Sequence, residues 1–248
     1  MLRRRFLWIA CCLLILTASM SASRLLVADP SKNDAIVPVG KDDNEGWMNR
    51  HKAMNERVKQ GNVDLLLIGD SITHGWEGEG KAAWEKHYAP RNAVNLGIGG
   101  DRTQHVLWRL DHGNIDGITP KLAVIMIGTN NSGTNTPEQI AEGIEAIVAK
   151  LRDKLPEMKV LVLAIFPRGA DNDDPRRKVN VATNEIVKTY IDELKDENVH
   201  YLDIGKAFLE DDGTLSKEVM PDLLHLNEAS YATWAESIEE SVVKLMGE

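Results

Sequence analysis

Four short segments supply the residue types that acyl transfer needs. Gly69-Asp70-Ser71 offers a hydroxyl, and Gly97-Ile98-Gly99-Gly100-Asp101 a glycine-rich turn with approachable backbone N–H groups. Gly128-Thr129-Asn130-Asn131 offers a carboxamide, and Asp222-Leu223-Leu224-His225 a carboxylate three residues before an imidazole. A serine hydroxyl is a weak nucleophile at neutral pH and needs a base within hydrogen-bond reach. Histidine suits that task because its unperturbed pKa lies near neutrality. An aspartate beside it can fix the ring tautomer and stabilise the imidazolium. Attack on an ester carbonyl creates an oxyanion, and each preorganised donor facing it is worth about 3 kcal/mol. Singly the segments are ordinary: a capping turn, a tight double-glycine turn, a solvated Asp/His pair. Together, each downstream of an apolar run, they are the parts of a serine acyl hydrolase.

Those apolar runs are residues 64–68, 93–96, 122–127, 160–166 and 199–204. Short runs of this kind fit strands of a parallel sheet covered on both faces. Helical patterns separate them. One helix begins near Asn44 as N-cap, carries Trp47, His51, Met54 and Val58 on one face and stops at Gly61. A second opens with Thr136, Pro137 and Gln139 as cap, N1 proline and capping-box partner, presents Ile140, Ile144, Ile147 and Leu151, and closes before Pro156. A third runs over residues 175–194. The last starts at Asn227 with Tyr231, Trp234, Ile238, Val242 and Leu245 as its apolar stripe. Strand, helix, strand at intervals of about 30–40 residues is the βαβ signature, with right-handed crossovers. The pattern predicts one three-layer α/β/α sandwich with a five-stranded parallel sheet and no internal repeat. In open parallel sheets the site lies at the carboxyl ends of the strands, which is where the four chemical segments fall.

With those segments placed, the chain resembles the SGNH (GDSL-type) hydrolase superfamily, named for Ser, Gly, Asn and His in four blocks. The resemblance covers about residue 64 to the C-terminus, with blocks at Gly69-Asp70-Ser71, at 95–101, at Gly128-Thr129-Asn130-Asn131 and at 222–225. Gly97-Ile98-Gly99-Gly100-Asp101, Val106-Leu107-Trp108-Arg109-Leu110, the Gly128 segment and Phe166-Pro167-Arg168-Gly169 are similar to the catalytic subunits of intracellular platelet-activating-factor acetylhydrolase. The resemblance implies a flavodoxin-like sheet and ester hydrolysis. Carried over by motif, Ser71 is the nucleophile, His225 the base and Asp222 its orienting carboxylate. The N–H groups of Ser71 and Gly100 and the Asn130 side chain make the oxyanion hole. Asn131 stands where many superfamily members have Asp, as it tends to in the acetylhydrolase branch.

Location is written in the first residues. Arg3, Arg4 and Arg5 precede an uncharged apolar run over 6–16, and Ser21-Ala22-Ser23 supplies small residues for cleavage. This is the layout of a signal peptide over residues 1–23, too short for a transmembrane helix of about 20 apolar residues. An uncleaved anchor is the alternative. The predicted localisation is periplasmic or extracellular. Residues 24–45, with Pro30, Pro38, Gly40 and a run of charges, read as a linker or ordered arm ahead of a hydrolase domain over 46–248. Both cysteines, Cys11 and Cys12, lie in the signal segment, so the mature chain has no disulfide and no thiolate metal site. The 248 residues carry a net charge of −9, and cleavage leaves 26 basic against 38 acidic residues, or −12. That balance argues against nucleic acid and anionic lipid as partners.

No cofactor is expected. His51, His87, His105, His112 and His200 show no metal-ligand spacing, and His74 reads as a turn residue near the nucleophile. Asp101 is expected to tie down its loop. Ile72, Thr129 and Leu224 adjoin catalytic positions and would narrow the acyl pocket toward acetyl, with core packing as the alternative. Trp76 and Trp108 could stack on a sugar or face lipid, with helical packing the favoured reading for Trp108. Arg168 lines the cleft rim or ends a strand, and residues 171–177 read as a solvated loop. The leading expectation is an exported short-acyl esterase acting on a small-molecule or polysaccharide ester, with carbohydrate esters as the candidate substrates and a homodimer suggested by the resemblance. The alternatives are a lipid ester hydrolase or lysophospholipase, platelet-activating-factor acetylhydrolase-like activity, and a non-catalytic carbohydrate-binding module that kept the fold.

Overall fold

In the computed structural model, residues 33–248 are described. The predicted signal segment, 1–23, and the first part of the predicted arm, 24–32, lie outside the described residues. Five strands form the sheet: β1 (Leu65–Gly69), β2 (Ala93–Gly97), β3 (Leu122–Met126), β4 (Lys159–Leu163) and β5 (Val199–Leu202). They run parallel in the order β2-β1-β3-β4-β5, the flavodoxin-like order. Among the described residues seven α-helices accompany them: α1 (Glu45–Lys59), α2 (Ser71–His74), α3 (Lys81–His87), α4 (Thr103–Leu110), α5 (Pro137–Lys154), α6 (Pro175–Leu194) and α7 (Glu228–Met246).

Alternation along the strands divides the core in two. Leu66, Ile68, Ala123, Ile125, Val160 and Val162 point to one face, against α1, α4, α5 and α6. Leu65, Leu67, Leu122, Val124, Leu161 and Leu163 point to the other, against α3 and α7. Both faces are dry, so the strands read as unbroken apolar runs. Each fully buried Leu or Ile side chain contributes roughly 1.5–3 kcal/mol.

The four helices anticipated from sequence begin where their caps place them. Asn44 accepts from Trp47 N–H, Asp174 from Arg177 N–H and Asn227 from Ser230 N–H, while Thr136 and Gln139 close a reciprocal capping box. Trp47, His51, Met54 and Val58 are buried as one stripe. β4 is shorter than its apolar run. Beyond Leu163 the Asn184 carboxamide accepts from Ile165 N–H at 2.8 Å and donates to its carbonyl at 2.9 Å, replacing a strand partner. The arm from Asn33 to Asn44 packs on the domain: Asn33 donates to Gln139 O and Glu142 Oε2, and Thr103 Oγ1 donates to Ala35 O.

Two surface expectations need correction. Trp76 is 0% exposed and packs against Tyr88, Tyr231 and Trp234, so it offers no face to a sugar. Arg177 belongs to the first turn of α6 and is buried, donating to Gly213 O at 2.8 Å, so residues 171–177 are not wholly solvated. Trp108, by contrast, packs as its helical reading expects, stacking on His112 with ring centroids 3.8 Å apart.

Gly69 ends β1 where α2 turns back over the sheet. A methyl group there would overlap Thr73 Oγ1 and the Met126 carbonyl oxygen. Gly69→Ala is therefore expected to destabilise the fold by about 1–3 kcal/mol through overpacking and to displace Ser71. Thermal unfolding together with an ester assay checks this; an unchanged Tm with full activity would show that the β1–α2 junction has slack.

Candidate active site

Ser71 is the first residue of α2, directly beyond β1, with Asp70 as N-cap. Its Oγ lies 2.9 Å from His225 Nε2, across 154 residues of sequence. His225 Nδ1 lies 2.6 Å from Asp222 Oδ2. An ionised carboxylate only accepts, so Nδ1 carries the hydrogen and Nε2 is free to accept from the Ser71 hydroxyl. Asp222 Oδ1 also accepts from the N–H groups of Leu224 (3.0 Å) and His225 (2.7 Å). Leu223 takes a left-handed conformation, φ 60°, to fold the carboxylate back over this turn, which is uncommon for a leucine. Burial works to raise the Asp222 carboxyl pKa, but the hydrogen bonds from His225 outweigh it and hold it below its ordinary value. The side chains of His225 and Asp222 are 43% and 56% exposed, so the pair faces an open cleft.

The second loop stands beside the serine. A methyl group at Gly99 would lie 4.0 Å from Ser71 Cβ. Gly100 has φ 72°, a conformation that glycine adopts without strain. Asp101 anchors this loop from below. Fully buried, it accepts from Trp47 Nε1 (2.6 Å) and Arg109 Nε (2.9 Å), and Lys41 Nζ lies 3.3 Å from it. Arg109, also 0% exposed, continues to Asn114 Oδ1 at 2.6 Å. Lys41 donates as well to Gly100 O at 3.0 Å, bringing the N-terminal arm to the rim. The sequence signalled Asp101 as a tether; it gave no sign that Lys41 reaches it.

Asn130, beyond β3, donates to the Asp101 carbonyl at 2.9 Å, which ties the third loop to the second and leaves its other amide hydrogen uncommitted by that bond. Asn131 is buried and interlocks with Thr103, Gln104 and Asn135. Of the expected acyl-pocket residues, Ile72 and Thr129 are each 1% exposed. Ile72 joins the apolar core, and Thr129 Oγ1 accepts from Arg168 and Asn180. Neither offers free surface to an acyl group; Leu224, beside His225, is half-buried. Tyr231, read only as core, also donates to Ile72 O at 2.6 Å and so holds the α2 turn.

Among the described residues no group of three His, Cys, Asp or Glu could hold a metal ion, and no helix is long and apolar enough to cross a membrane. Burial and nearby cations lower the pKa of His51 and of His105 to about 4, so both are neutral rings at pH 7.

The GDSL-like lipase/acylhydrolase family model matches residues 67–233. The platelet-activating factor acetylhydrolase IB subunit alpha2 of Gallus gallus is 38% identical over 219 residues, covering 87% of this chain and 93% of its own length. A putative acylhydrolase from Bacteroides fragilis superposes with a TM-score of 0.66 at 18% identity, covering 82% of this chain and 100% of its own. A carbohydrate acetylesterase family member from Sinorhizobium meliloti gives a TM-score of 0.59 at 15% identity, covering 75% and 100%.

Asp70 is fully buried: Oδ1 accepts from Ile72 N–H at 3.0 Å, and Oδ2 has no partner. Burial raises its pKa to about 7. A carboxyl whose pKa rises on folding leaves stability intact below its unfolded pKa and erodes it as pH climbs toward the folded value. Asp70→Asn keeps a capping oxygen and removes the titration. Its Tm should match that of the unsubstituted protein near about pH 4 and exceed it near about pH 8. Parallel Tm–pH curves would show that Asp70 does not titrate in this range.

Proposed function

The chain belongs to the GDSL-like lipase/acylhydrolase family, and from that premise we propose that it is an exported serine esterase that removes short acyl groups, acetyl foremost, from carbohydrate esters. It is a carboxylic ester hydrolase. The observation that carries the proposed mechanism is the continuous relay from Asp222 through His225 to Ser71, with contacts of 2.6 and 2.9 Å.

In the proposed reaction the Ser71 oxygen attacks the ester carbonyl carbon while its proton passes to His225 Nε2. The carbonyl electrons move onto oxygen, where the N–H groups of Ser71 and Gly100 and the Asn130 amide receive the charge. These donors are fixed before reaction, so they stabilise the oxyanion without reorganisation. Collapse expels the alcohol, which takes the proton from Nε2. Water then attacks the acyl-enzyme with His225 again as base, releasing the acid and restoring Ser71. Asp222 stays ionised throughout and balances the imidazolium.

The acetyl preference is supported by the name of the Gallus gallus relative, an acetylhydrolase subunit at 38% identity, and by Leu224 beside the base. The carbohydrate preference draws on a separate likeness. The Sinorhizobium meliloti protein is named for acetylated carbohydrate, but it is only 15% identical. Export rests on the n-region, apolar run and small residues of the first 23 positions. The relatives' name favours a second reading, acetyl-ester hydrolysis on a phospholipid.

Ser71→Ala should retain the fold and lose both ester turnover and labelling by a fluorophosphonate. More than a few per cent residual kcat would remove Ser71 from its role. For acyl length, p-nitrophenyl acetate should be cleaved with a kcat/KM at least about tenfold above that of the octanoate, since each excluded methylene is worth about 1 kcal/mol or more. A preference for octanoate would overturn the short-acyl assignment.

A further inference from the structure

The loop that carries Asn130 is bordered by three guanidinium groups. Arg102 donates to Thr134 Oγ1 at 3.2 Å, and Arg168 to Thr129 Oγ1 at 3.1 Å. Arg176 lies over Gly133, where a methyl group would come within 3.0 Å of Nη2. Among the described residues none of the three has a carboxylate within ion-pair distance; Arg57 and Arg177 also lack one but are held by backbone carbonyls, and Arg50, Arg91, Arg109 and Arg152 are each paired with at least one. Arg168 Nε is buried with no partner at all. Lys41, across the cleft on Gly100 O, adds a fourth cation at the rim, partly balanced by Asp101.

The nearby acids make their hydrogen bonds elsewhere and reach the guanidinium groups only from beyond ion-pair distance. Asp174 caps α6 through Arg177 N–H, Asp222 holds His225, Asp70 is buried on Ile72 N–H, and Asp34 accepts from Asn135. Arg176 and Arg168 repel one another, an effect that Asp174, Asp70 and Asp222 offset in part from beyond ion-pair distance, and an anion joining the guanidinium groups would relieve it further. On a chain of net charge −9 this concentration is also against the overall balance. Guanidinium forks match carboxylate and phosphate oxygens better than any other side chain.

Position tells which part of the substrate would meet them. Gly169 N–H donates to Leu223 O at 2.9 Å, so the Arg168 turn abuts the loop that bears His225. The leaving oxygen must collect its proton from that imidazole, so the alcohol fragment departs on this side. We propose that Arg102, Arg168 and Arg176 form a cationic collar selecting esters whose alcohol fragment carries an anionic group, a carboxylate or a phosphate. This rests on the esterase reading above and sharpens its substrate class.

The test compares matched acetyl esters. One pair is acetylated methyl glucuronoside against acetylated methyl glucoside; the other is acetylated glycerol phosphate against acetylated glycerol. At low ionic strength kcat/KM should favour the anionic member of at least one pair by roughly tenfold, and high salt should bring the ratio toward unity because exposed charges are screened. A preference confined to the first pair assigns an acidic carbohydrate; one confined to the second assigns a phosphate ester. In the double variant Arg102→Gln/Arg176→Gln the anionic-to-neutral ratio should fall several-fold. Equal or better turnover of both neutral esters, or a ratio indifferent to salt and to the double substitution, overturns the collar while leaving the esterase reading intact. Failure to cleave any of the four esters overturns both.

Discussion

The hydrogen bond between Ser71 and His225 is the contact on which the rest converges, because its two ends are supplied by opposite ends of the domain. Ser71 leaves the first strand and His225 lies just before the last helix, 154 residues later. No local preference can bring them together. The α7 stripe of Tyr231, Trp234, Ile238 and Val242 must first bury itself beside Trp76 and Phe166. Tyr231 then fastens the α2 turn directly through Ile72 O. The same apolar burial that stabilises the domain thus sets the position of the His225 imidazole relative to the Ser71 hydroxyl.

A second anchor works on the opposite side of the sheet. Asp101 and Arg109 are both fully buried and hydrogen-bonded, and Trp47 and Asn114 complete the cluster. A buried ion pair is a poor source of net stability, since desolvation offsets the attraction. Its effect here is positional: it holds the Gly99–Gly100 turn and presents the Asp101 carbonyl to Asn130. Rigid support of this kind matters because oxyanion donors act only if they are already in place when charge develops.

Electrostatically the site is divided. Asp70 and Asp101 lie buried beneath the serine and the glycine turn, and Asp222 sits at the base. Cationic side chains occupy the outer rim. The open exposure of His225 and Asp222 means that a bound substrate, rather than the protein alone, would complete their exclusion from water.

The amino-acid sequence determined by itself the sheet runs, the capped helices and the four chemical segments, because each is local: an apolar run, a cap residue with its N3 partner, a glycine turn. Asn44, Thr136, Pro137 and Asn227 start helices wherever the chain goes. The order of the strands came with the family resemblance, not from their spacing. Tertiary structure alone decided what depends on partners far away in the chain. Trp76 and Ile72 lost the freedom to meet a substrate once α7 covered them. Thr129 was claimed by Arg168 and Asn180. β4 ended early because Asn184 took over its backbone groups. Lys41, in a segment without periodicity, reached the glycine turn, and three arginines spread over 75 positions gathered around one loop. Side-chain types announce what chemistry is available; burial and long-range hydrogen bonds, which no short window contains, decide which of those groups remain free to perform it.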